Sequence, residues 1–108
     1  MAPVLQKEEI GELIARARAQ ETLWNCDFRR RSEFSRRALA SSDRLEALML
    51  IKTIYQRKKD LAKEGKDLHT TDAYFLRDAE FLLYHEFAFV LEKSFEEVSH
   101  EVKKALCE

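Results

Sequence analysis

The sequence predicts an all-α fold, a compact bundle of about five helices forming a single domain over residues 1–108. Three observations predict it. Turn residues are nearly absent, with two glycines and one proline in the whole chain. Ala, Leu, Glu, Lys and Arg, the strong helix formers, dominate what remains. Apolar residues recur with helical spacing between short polar breaks, and at 45% of the chain they can supply one modest core.

The first helix is predicted from about Lys7 to Ala19, with Ile10, Leu13, Ile14 and Ala17 on one stripe. Glu8 and Glu9 in its opening turn suit the positive end of the helix dipole. After a break near Gln20–Leu23, a second helix is predicted from about Trp24 to Ala40. Its apolar positions are Trp24, Phe28, Phe34 and Ala38, and five arginines lie among them. Ser41-Ser42-Asp43 punctuates the chain, and Asp43 with Glu46 three residues on reads as a capping box for a third helix. That helix carries Leu45, Leu48, Met49, Ile51, Ile54 and Tyr55, ends in the basic stretch Arg57-Lys58-Lys59, and stops at Gly65. A fourth helix is predicted from about Asp72 to Leu91, with Phe75, Leu76, Ala79, Leu82, Leu83, Phe87 and Val90 facing inward. Phe81, Tyr84 and Phe89 widen this stripe, which predicts the central helix of the bundle. Ser94-Phe95-Glu96-Glu97 is an S-x-x-E box opening a fifth helix on Phe95, Val98, Val102, Ala105 and Leu106.

Several function classes are excluded on chemistry. No apolar run has membrane-spanning length, and the N-terminus lacks the basic start and apolar stretch of a secretory signal. Cys26 and Cys107 are too few and too distant for a disulfide framework or a metal clip, so two reduced thiols in a cytoplasmic protein are expected. The only histidines, His69, His85 and His100, do not form a metal-binding helical pair. No nucleophile elbow and no glycine-rich phosphate loop is present. The expectation is therefore no enzyme, no metal and no cofactor.

Charge is unevenly distributed. From Arg16 to Lys63 there are 13 basic and 6 acidic residues, and from Glu64 to Glu108 there are 5 basic and 11 acidic. A basic half of this kind fits an anionic partner. The stretch WNCDFRRRSEFSRR places an indole ahead of Arg29, Arg30, Arg31, Arg36 and Arg37. Nucleic-acid binders use that pairing, guanidinium groups on phosphates and an apolar ring that wedges or stacks on a base. The plainer reading keeps Trp24 as a core residue, and it treats the Arg57–Lys59 cations as favourable in themselves at a helix C-terminus.

With these residues in view, the chain resembles the C-terminal helical domain of the CarD family of RNA-polymerase-binding transcription regulators. The resemblance rests on Trp24-Asn25 followed by arginines, LASSD at Leu39–Asp43, and LIKTIYQRKK at Leu50–Lys59. It continues through DLHTTDAYFLRDAEFLLYHEFA at Asp67–Ala88 and SFEEV at Ser94–Val98. It implies a helical domain cut from a longer protein whose N-terminal β domain binds RNA polymerase. It further implies that Trp24 wedges into the minor groove of promoter DNA at the upstream edge of the bubble, with Arg29, Arg30 and Arg31 on phosphates. The candidate DNA-binding set is Trp24, Arg29, Arg30, Arg31, Arg36, Arg57 and Lys58. The alternative is a helical protein-interaction domain that uses the aromatic-rich fourth and fifth helices without DNA contact. A homodimer joining the acidic half of one copy to the basic half of another is a third possibility.

Overall fold

The computed structural model describes residues 5–22, 27–41 and 43–107. Among them are five helices and no strand: α1 (Lys7–Ala19), α2 (Phe28–Ala40), α3 (Arg44–Lys63), α4 (Thr70–Leu91) and α5 (Phe95–Cys107). The all-α bundle is therefore as predicted. The two long helices, α3 and α4, pack on each other and each touches the other three, so the centre is a helix pair rather than α4 alone. Leu48, Ile51 and Ile54 of α3 meet Ala79, Tyr84 and Phe87 of α4 in the core. Ala17 of α1, Ala38 of α2 and Val98 of α5 close it.

The helix ends follow local chemistry. The Asp27 carboxylate accepts from the N–H groups of Arg29 and Arg30, which starts α2 at Phe28. The predicted start at Trp24 lies outside the described residues. Asp43 caps α3 through the Leu45 N–H at 2.9 Å. Ser94 Oγ accepts from the Glu97 N–H at 3.1 Å, the bond its S-x-x-E sequence predicts. The start of α4 falls close to the expected one: His69 Nδ1 takes the Thr71 N–H, the helix begins at Thr70, and Asp72 is buried in its first turn.

Among the described residues, two helices end in the left-handed backbone conformation. After α3 it falls on Gly65, with Lys66 N–H bonded to Leu61 O and Gly65 N–H to Ala62 O. After α4 it falls on Glu92, at φ 56°, with Lys93 N–H bonded to Ala88 O. Gly65 adopts this geometry without a Cβ penalty, whereas Glu92 carries a cost of about 1 kcal/mol. Glu92→Gly is expected to recover much of that amount as a higher urea midpoint, and a lower midpoint would refute the strain.

Polar ties join the helices, and three of them fix α1, α2 and the start of α3. Arg44 at the start of α3 makes a two-pronged bridge to Glu86 of α4, at 2.6 and 2.9 Å. The hydrogen bond to Glu86 raises the Arg44 pKa above its ordinary value, outweighing the opposing effect of burial. The stability from this shift is present below the unfolded-state pKa and is lost as pH rises through the folded-state value, at strongly alkaline pH. Lys52, buried in α3, donates to the carbonyls of Ala17, Arg18 and Gln20 and so closes the C-terminus of α1. The third tie joins Arg31 of α2 to Asp72 of α4.

Two expected apolar stripes are corrected. On α2, Phe28 and Phe34 are exposed, and the inward positions are Ser32, Ser35 and Ala38. On α4, Leu82 was expected inward but is 60% exposed, and Phe81 and Phe89, which widen the stripe, also face solvent. A helix with apolar residues on most of its circumference buries only the arc that its neighbours cover.

Candidate nucleic-acid interface

The inner side of α2 is built from small residues, which lets its backbone lie close to α3 and α4 and fixes which side faces out. At about 100° per residue, Arg29, Arg30, Arg36 and Arg37 project from the outer side within an arc of roughly 120°. All four are exposed, with Glu33 between them. The Arg30 guanidinium lies 3.8 Å from the Asp27 carboxylate in a well-solvated pair. Such a pair holds a side chain only weakly. The face also begins at the positive end of a helix that has no acidic residue in its first turn.

Arg31 points the other way. Its Nε and terminal nitrogen donate to the two oxygens of Asp72, each at 2.9 Å, and the pair is nearly sealed from solvent. Its guanidinium also lies 5.4 Å from the centre of the Phe28 ring, which in turn packs on His69 at 4.7 Å. The first turn of α2 is thereby clamped to the start of α4, and that clamp sets the rotation of the helix presenting the other arginines.

The remaining members of the candidate set do not join this face. Arg57 is half-buried on α3. Lys58 is exposed but sits in a crevice with Ala73, Leu76, Arg77, Glu80, Phe81 and Phe95. That crevice borders α5, whereas α2 covers the opposite flank of α4, beside Leu83 and Glu86. Trp24 lies outside the described residues. Before it in the chain, the Thr22 hydroxyl donates to Gln56 Oε1 at 2.6 Å, and after it Asp27 caps α2.

The set named from sequence omitted Arg37, which a helical projection of α2 places with Arg29, Arg30 and Arg36. Sequence gave no sign that Arg31 is occupied, because its partner is 41 residues away. Among the described residues there is no group of three or more potential metal ligands, and no helix long and apolar enough to cross a membrane. No protein-family model, no curated protein and no solved structure matches the chain.

Proposed function

We propose that the domain holds promoter DNA at the upstream edge of the transcription bubble and stabilises the open complex when tethered to RNA polymerase. The observation that carries this reading is the outer face of α2, where four arginines share one side of one helix. Guanidinium groups on a rigid element can contact several phosphates together, and phosphate contacts supply most of the affinity of such proteins. The indole of Trp24, at the sequence position that the CarD resemblance assigns to the wedge, supplies selectivity for distorted DNA. A side chain that fits only opened DNA lowers the energy of that state and slows its closure. Arg31 acts as a positioning residue, held by Asp72, and the phosphate contacts fall to Arg29, Arg30, Arg36 and Arg37. Tethering through a polymerase-binding domain supplies the effective concentration that a small contact area lacks.

Fluorescence anisotropy with forked promoter DNA, at several salt concentrations, tests the reading. With three or four phosphates neutralised, the slope of log affinity against log salt is expected to be roughly -3 to -4. Arg29→Ser with Arg36→Ser is expected to reduce its magnitude by about 2 and to weaken binding for all sequences alike. Trp24→Ala is expected to remove promoter opening by the tethered protein while helicity is retained. An affinity insensitive to salt, or unchanged by the double substitution, refutes the DNA face. Unfolding of Trp24→Ala refutes the wedge and leaves Trp24 as a core residue.

A further inference from the structure

The solvent side of α4 is apolar for most of its length. Tyr74, Phe81, Leu82 and Phe89 are 58%, 60%, 60% and 85% exposed. With Asp78 and His85 between them, they project within an arc of roughly 100° along about 22 Å of helix. His85 is fixed in this face by ring contacts to Phe81 and Phe95, with centres 4.5 and 4.8 Å away. Next to Leu82 lies a crevice of about 430 Å³ walled in part by Ala38, Leu39, Ala47 and Leu83. The recess also holds Ser41, Asp43 and the Arg44–Glu86 pair, so the apolar surface that lacks a cover is the stripe itself.

A two-fold axis places the same patch of both copies face to face, so an apolar stripe on one copy is covered by the same stripe on the other. We infer that this face of α4 binds a second copy of this chain, with the two α4 helices antiparallel and the axis between Phe81 and Leu82. In that register Phe81 meets Leu82 of the second copy and Tyr74 meets its Phe89. Asp78 meets its His85, so the polar positions of the stripe are also matched. A parallel pairing would instead stack Asp78 on Asp78. At 150–250 Å² per large side chain, the exposed fractions bury about 500 Å² per copy and roughly 1,000 Å² per pair. That lies at the lower limit for a specific interface, so a dissociation constant on the order of 10–100 µM is expected. This dimer is distinct from one joining an acidic half to a basic half, and it does not depend on DNA contact because α2 keeps its outer face free.

Sedimentation velocity of the full chain from 2 to 500 µM (roughly the span that brackets the expected affinity) tests the inference. The expected result is a monomer–dimer transition that persists in 1 M salt. Phe81→Glu with Leu82→Glu is expected to weaken association at least tenfold with unchanged helical circular dichroism. Register is read by disulfide trapping in a chain with Cys26 and Cys107 changed to serine. There, Leu82→Cys links to itself, while Tyr74→Cys and Phe89→Cys link only when mixed. A monomer at every concentration, a dimer lost in 1 M salt, or self-linking of Tyr74→Cys alone overturns the inference. Should the double glutamate variant misfold, the trapping pattern decides by itself.

Discussion

Asp72→Ala is expected to destabilise the protein by about 3–5 kcal/mol, because it strands the Arg31 guanidinium in a site built to neutralise it. Asp72 is 1% exposed and meets Arg31 through two hydrogen bonds of 2.9 Å. With the carboxylate gone, Arg31 either stays buried without its two-pronged bridge or swings out and breaks the contact between α2 and α4. The whole domain is worth roughly 5–15 kcal/mol, so either route removes a large part of its stability. Urea unfolding followed by circular dichroism measures the loss. Arg31→Met combined with Asp72→Leu is expected to restore much of it, since apolar replacement of a buried pair is often neutral or better. A loss below about 1 kcal/mol for Asp72→Ala would mean that the pair is effectively solvated and that α2 is not clamped by it.

The same pair has a consequence for DNA binding that separates fold from site. If Arg31 acts only through the packing of α2, an apolar pair that keeps α2 against α4, Arg31→Met with Asp72→Leu, leaves the outer arginines in place and the salt slope unchanged. A direct phosphate contact by Arg31 would instead lower the slope by about 1.

What the sequence made legible was local. Gly65, Ser94 and Asp43 mark helix ends because each acts on backbone within a few residues of itself. The five helices follow from such marks and from periodicity. Which side of each helix turns inward depends on partners far away in the chain, and there the reading failed in specific places. Phe34 and Leu82 lie on apolar stripes yet face solvent, because α2 packs through small residues and α4 has more apolar surface than its neighbours cover. Asp72 stands where the fourth helix is expected to start, and α4 does begin there, but its pairing with Arg31 depends on a residue 41 positions away. For the site, the run of arginines was plain, whereas its division into an exposed set and an internal clamp required the packing of α2.

Lys52 offers the second large effect. Nothing in LIKTIYQRKK distinguishes this lysine from the solvated cations that follow it, yet it is 5% exposed and donates at 2.9, 3.1 and 2.5 Å to the carbonyls of Ala17, Arg18 and Gln20. Those carbonyls belong to the last turn and exit of α1, where no intrahelical donor remains and the helix dipole is negative. The ammonium group, with three N–H bonds to give, is matched to them in number and in charge. Lys52→Met keeps the apolar stem and removes every donor. The Ala17 carbonyl is then buried without a partner, while water can reach the other two in part, so a loss of about 2–3 kcal/mol is expected. That corresponds to a fall in Tm of roughly 8–20 °C for a domain of this size. The damage is expected to concentrate in α1, so amide exchange in Lys7–Ala19 accelerates more than exchange in α4. Uniform acceleration across both helices would show that α1 has no separate attachment, and a fall of less than about 3 °C would show that water replaces the lysine without cost.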